Sequence, residues 1–265
     1  IEDAVNGAAF GCFANSGQIC MSTERIIVDQ KIADDFVKKF AAKAGALPLG
    51  DPRKPDPVVL GSVIGMSTVE HCNALIDDAL AKGAGLLCGG KADSTLMPAT
   101  VLDHVTPAMR IYREETFGPV KCIVRVNGVE EAVACANDNE YGLSAAVFGG
   151  DIARAFNVAR RIDSGICHVN GPTVHDEAQM PFGGVKGSGI GRFGGQACCF
   201  VLRSAGGPRC GLEVAALAVE FVEQPFELVG PVAASRPFGG EVGASRTQFS
   251  DQFEADADHL VGIVR

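Results

Sequence analysis

Apolar residues recur at helical spacing from the start of the chain. Ala4, Val5, Ala8, Ala9, Cys12 and Phe13 predict a helix over residues 1–13. The polar stretch ANSGQ then breaks the period, so the helix ends in a tight loop just before Cys20. RIIVDQ, short and β-branched, predicts a buried strand, and KIADDFVKKFAAKAG predicts an amphipathic helix stopped at Gly45. LPLGDPRKPDPVVLGSVIG is rich in Pro, Gly and Asp and reads as an extended surface loop. A long helix over STVEHCNALIDDALAKGA leads to a strand at GLLCGG.

From there strands and helices alternate. PATVLDHV and KCIVRVN predict strands, VEEAVACANDN a helix, and LSAAVFGG a strand. DIARAFNVARRID is a helix with Asp151 as its N-cap, and GICHVN is a further strand. Strands separated by helices of this length predict βαβ units, hence an α/β fold with a doubly wound, mostly parallel sheet. After Gly195 the pattern lapses: residues 196–265 contain no lysine and no sustained period. A boundary is therefore expected there, between a domain at 1–195 and an unassigned tail at 196–265. PFGG occurs at Pro181–Gly184 and again at Pro237–Gly240, with too little matching around it to make a repeat.

Composition narrows the function classes. Of 265 residues, 47% are hydrophobic and 21% charged, as in an ordinary globular protein. No apolar run is long enough to cross a bilayer, and the first residues lack the basic start of a secretory signal, so a cytoplasmic protein is expected. A formal charge of −9 argues against a nucleic-acid partner. The ten cysteines show neither CxxC pairs nor His–Cys clusters, which predicts thiols, with no disulfide framework and no metal site.

Three segments carry chemistry. In FANSGQICMSTERIIV, a cysteine lies just beyond a helix in a loop with Ser16 and Gly17, where its sulfur can face a cleft. Most free cysteines are small buried hydrophobes, and Cys12, on the helix itself, is read that way. YREETFGPV sets two acids ahead of an apolar strand, which alone reads as a solvated approach to the strand. The third segment is NDNEYGLSAAVFGGD with SGICHVNGPTVHDEAQMPFGGVKGSGIGRFGG. Gly189-Ile-Gly191-Arg-Phe-Gly194 fits G-x-G-x-x-G, with Glu213 at a plausible distance, but no strand runs into it. It is read instead as a loop needing positive φ. His168 and His175 read as a strand-end and a loop histidine with backbone partners, not as a catalytic base.

In order and spacing these segments resemble the aldehyde dehydrogenase family from residue 1 to about Gly195. G-Q-x-C is similar to that family's nucleophile segment, E-E-x-F-G-P-V to its nicotinamide loop, and P-F-G-G-x-K-x-S-G-x-G-R to its final block. The resemblance implies Cys20 as nucleophile, Glu115 on the nicotinamide ribose and Phe117 beside the ring, with NAD or NADP as cofactor and NAD the first choice. It also implies that the general-base glutamate, an oxyanion asparagine, a lysine and the dinucleotide glycines lie upstream of residue 1. On that reading the chain is a C-terminal catalytic fragment, inactive alone, of a homo-oligomeric parent. The wording of the CHVN and GPTVHDEAQMPFGG stretches resembles the vanillin, salicylaldehyde and benzaldehyde dehydrogenases, so an aromatic aldehyde is the expected substrate. An aliphatic or semialdehyde substrate is the alternative, and a catalytically dead binding or assembly module is the alternative of another class. For the tail, a shift of reading frame in the source DNA is favoured over an appended segment.

Overall fold

A computed structural model describes residues 1–177, 179–194 and 260–264. Five α-helices of eight residues or more lie among them: α1 Glu2–Phe13, α2 Gln30–Gly45, α3 Met66–Ala81, α4 Gly128–Asn137 and α5 Ile152–Ala159. The strands are β1 Arg25–Asp29, β2 Gly85–Cys88, β3 Thr100–Asp103, β4 Val120–Val126, β5 Ser144–Gly149, β6 Ile166–Val169 and β7 Leu260–Val264. Each periodic segment thus becomes the element its pattern predicts. The Asp151 carboxylate accepts from the Arg154 N–H, as an N-cap should.

The seven strands form one sheet in the order β2-β3-β4-β1-β7-β5-β6. β3, β4 and β1 run parallel, as do β5 and β6; β2 and β7 are antiparallel to their neighbours. Alternation along each strand sends side chains to two helical layers. Ile26, Val28 and Ile123 join α1 and α2 in one apolar core. Ile27, Cys122, Val124 and Val126 join α3, α4 and α5 in the other. Phe36 stacks on Phe40 at 5.7 Å, and Phe13 reaches Phe40 at 6.1 Å, which ties α1 to α2. Helices on both faces of a mostly parallel sheet are the doubly wound arrangement.

GLLC forms the expected strand, at the sheet margin, with Leu86 and Leu87 exposed. The tail, left unassigned because it has no sustained period, supplies β7, which lies between β1 and β5 in the middle of the sheet. Residues 195–259, including the second PFGG, lie outside the described residues. No helix among the described residues is long and apolar enough to cross a membrane.

Candidate active site

α1 ends against a loop whose backbone is unusual. Asn15, Ser16 and Gly17 all have positive φ, at 50°, 56° and 75°. For two residues with a Cβ this costs about 1–3 kcal/mol each, so neighbouring structure must hold the loop. Gln18 braces it: its Oε1 accepts from the Ile64 N–H at 2.8 Å and its Nε2 donates to the Asn15 carbonyl at 3.2 Å. Ser16 Oγ donates to the Gly61 carbonyl, so the long Pro/Gly-rich loop is what supports this turn. On the far side Ser22 Oγ lies 3.1 Å from the Gly11 carbonyl, and Thr23 N donates to that same oxygen. Cys20 sits between these two anchored ends.

Among the described cysteines Cys20 alone is exposed. The other six are held as neutral thiols by burial. Cys12, Cys122 and Cys167 are each pushed up to about 12 and Cys72 to about 11, while Cys88 and Cys135 are also raised. Cys12 is a core residue of α1, as its place on the helix implied. A thiol must be accessible and ionisable to act as a nucleophile, and buried thiols are inert.

The loop before β4 faces the cysteine loop. A Cβ on Gly17 would lie well inside 3.0 Å of the Gly118 carbonyl oxygen, so the two backbones meet where no side chain fits. Glu115 is half-buried, and its carbonyl is 2.9 Å from His71 Nε2 on α3. Phe117 has φ 44° and remains 42% exposed. A left-handed aromatic residue is an uncommon conformation that surrounding contacts must impose. Glu114 forms an exposed two-oxygen pair with Arg110, at 2.7 and 2.8 Å, which holds its carboxyl below the usual range.

Beneath both loops lies a charged pair that the sequence reading missed. Lys121 is fully buried, and its Nζ donates to Glu24 Oε1 at 3.1 Å. Glu24 Oε2 accepts from the Thr116 backbone N–H at 3.1 Å and from its hydroxyl at 2.9 Å. The sequence shows only a charge near the start of each strand, Glu24 just before β1 and Lys121 in β4.

Around the final glycine block the expectation of positive φ holds. Gly189, Gly191 and Gly194 have φ of 146°, 85° and 89°, and Phe182 and Phe193 bridge across the loop at 5.1 Å. His168 lies on β6, edge-on to His175 at 5.9 Å. Its Nε2 has no partner among the described residues, so the expected backbone partner is not found there. Burial first, then the neighbouring His175, pulls its pKa down to about 4. A neutral imidazole is cheaper than a charged one in such a place.

The chain aligns with vanillin dehydrogenase of Pseudomonas fluorescens at 57% identity over 197 residues, which is 74% of this chain and 41% of that protein. The crystal structure of a salicylaldehyde dehydrogenase from Pseudomonas putida G7, complexed with salicylaldehyde, superposes with TM-score 0.73 at 50% identity, over 74% of this chain and 41% of that one. The structure of an NADP-dependent glyceraldehyde-3-phosphate dehydrogenase from Bacillus halodurans, complexed with NADP, gives TM-score 0.70 at 38% identity, over 73% and 40%. This chain therefore spans about two-fifths of the length of the relatives it matches. Residues 1–202 match the aldehyde dehydrogenase family, and the chain belongs to that family.

Proposed function

We propose that this chain carries the nucleophile half of an enzyme that oxidises an aromatic aldehyde to its carboxylic acid with NAD or NADP, with NAD the first choice. The observation that supports it most is the apposition of two loops: an exposed Cys20 on a braced left-handed turn, against the turn that bears Glu115 and Phe117. On this reading the Cys20 thiolate adds to the aldehyde carbon, and its electron pair forms the C–S bond while the carbonyl oxygen takes the negative charge. Loss of hydride from that carbon leaves a thioester, which water cleaves to release the acid and restore the thiol. A bound nicotinamide supplies the two-electron acceptor for that hydride.

The residues present fit such a cofactor at its nicotinamide end. The two oxygens of the Glu115 carboxylate can accept from the two vicinal hydroxyls of a ribose. Phe117 offers an exposed aromatic face on a fixed backbone. The high identity to a vanillin dehydrogenase and the fit to a salicylaldehyde dehydrogenase support an aromatic substrate over an aliphatic one.

Addition of aldehyde to a thiol is reversible and blocks alkylation, so the reading can be tested without cofactor. Iodoacetamide should label Cys20 before any other described cysteine. Benzaldehyde and salicylaldehyde should slow that labelling at lower concentration than hexanal or succinic semialdehyde. Labelling that spares Cys20 would reject the nucleophile and leave the binding or assembly reading; equal protection by all four aldehydes would reject the substrate class.

A further inference from the structure

Glu24 stands four residues beyond Cys20, at the start of the strand that follows it. Thr116 stands between Glu115 and Phe117. One carboxylate joins them, since Glu24 Oε2 accepts from both the backbone N–H and the hydroxyl of Thr116. Its other oxygen takes a proton donor from Lys121, whose ammonium also lies 3.3 Å from Thr116 Oγ1. The Gly118 N–H donates to that same hydroxyl oxygen at 3.3 Å. From the opposite side α3 holds the loop through His71 to the Glu115 carbonyl and Cys72 Sγ to the Thr116 carbonyl. The loop backbone is thus pinned at Glu115, Thr116 and Gly118, and the Thr116 pins lead to the cysteine segment.

Lys121 and Glu24 are both less than a tenth exposed. An apolar pair of similar volume would serve stability as well or better, because desolvating two charges offsets most of their attraction. What a charged pair adds is direction, since a carboxylate fixed by a buried ammonium can accept only along defined lines. The loop it fixes includes the left-handed Phe117, which must be held by its surroundings.

We propose that Glu24, Lys121 and Thr116 are positioning residues: a buried clamp that sets the Glu115–Phe117 turn at a fixed place relative to Cys20. The proposal rests on the function proposed above for Cys20, Glu115 and Phe117. Neither Glu24 nor Lys121 need touch substrate; they act through the Thr116 backbone.

Amide hydrogen exchange on the 265-residue chain reads the clamp directly. In Glu24→Leu/Lys121→Met both charges and the acceptor are gone, and exchange at Thr116 should quicken at least about tenfold, the minimum expected for a lost hydrogen bond to a charged group. Amides of β1 and β4 should not change. Glu24→Gln/Lys121→Met keeps a carbonyl acceptor but loses the ammonium that aims it, and should give an exchange rate at Thr116 between those of the unaltered chain and the first double variant. Thr116→Val keeps the shape and deletes the hydroxyl, so the Gly118 amide should exchange faster.

Unchanged Thr116 and Gly118 exchange in a folded Glu24→Leu/Lys121→Met would overturn the clamp. So would equal acceleration across β1 and β4, which would mark the pair as structural only. If that double variant does not fold, Thr116→Val decides, and an unchanged Gly118 amide defeats the proposal. Failure of iodoacetamide to label Cys20 in the unaltered chain would sink the nucleophile reading and leave the clamp standing, so the two failures can be told apart.

Discussion

Three glycines with nearly the same backbone conformation allow the cost of the loop contact at the candidate site to be separated from the cost of a left-handed residue. Gly17, Gly89 and Gly128 have φ of 75°, 73° and 79°. An added Cβ would meet nothing within 4 Å at Gly128. At Gly17 it would collide with the Gly118 carbonyl, and at Gly89 with the Ala99 carbonyl, both backbone atoms that cannot rotate away. Placing alanine in the left-handed region costs about 1–2 kcal/mol. Removing a glycine from the unfolded chain returns about 0.4–1 kcal/mol. Gly128→Ala should therefore destabilise by about 1 kcal/mol or less. A forced backbone shift adds about 1–3 kcal/mol, as for overpacking, so Gly17→Ala and Gly89→Ala should each lose about 1–3 kcal/mol more than Gly128→Ala. Urea titration of the three variants measures this, with the midpoint reporting stability as long as the slope is unchanged. Only Gly17→Ala should also alter the rate of Cys20 alkylation, by several-fold, because the relaxation moves its own loop. A Gly17→Ala variant within about 0.5 kcal/mol of Gly128→Ala would refute the close approach of the two loops. An alkylation rate altered equally in Gly89→Ala would refute its link to Cys20.

Further outcomes are expected. Cys20→Ala should abolish the fast iodoacetamide-reactive thiol, whereas Cys12→Ala should leave it in place and cost about 1 kcal/mol of packing; a fast thiol surviving in Cys20→Ala would reverse the assignment. Arg125 bonds Asp103 through Nε and Nη2 at 3.2 and 2.8 Å and reaches Asp34 at 2.6 Å. Arg125→Met should cost about 2–3 kcal/mol by leaving the buried Asp103 carboxylate short of its partner. Arg125→Met/Asp103→Leu should recover most of that, and equal losses in the single and double variants would contradict the argument. His168 titrates near 6.5 when unfolded and at about 4 in the fold, so below 6.5 the unfolded chain binds the extra proton. Stability should therefore fall as pH drops from about 6.5 to about 4, and His168→Gln should flatten that part of the curve; an identical slope in the variant would show that the imidazole is not buried neutral.

The fold was readable because its signals are local. The spacing of Phe36, Val37 and Phe40 gives a helix face, and the run Ile26-Ile27-Val28 gives a strand buried on both sides, with no distant information needed. The cysteine loop was readable in place but not in form: Gly17 announces a turn, while the left-handed Asn15 and Ser16 depend on Ile64 and Gly61, over forty residues away. The buried pair was hidden for the same reason. Glu24 and Lys121 each look like a solvated charge at the start of a strand, and their meeting is a property of the β1–β4 register, Arg25 opposite Cys122. β7 escaped because Gly262 interrupts a short apolar run whose surroundings have no period. The orphaned Nε2 of His168 likewise depends on what β6 packs against, which no motif reveals.

The place of β7 has a consequence for how the chain reaches its fold. β1 pairs with β7 so that Arg25 lies opposite Val264, and β5 pairs with it so that Ala145 also lies opposite Val264. The strand that joins the two parallel blocks thus lies far along the chain from both of its partners. Helices form in about a microsecond or less, but a pairing across most of the chain must first close a very long loop. Each block, β2-β3-β4-β1 and β5-β6, can assemble earlier, with one inner edge unpaired. Until residues 260–264 arrive, those two edges are open templates for any extended segment, including that of a neighbouring chain. Low protein concentration during refolding should therefore favour the correctly paired sheet over aggregates.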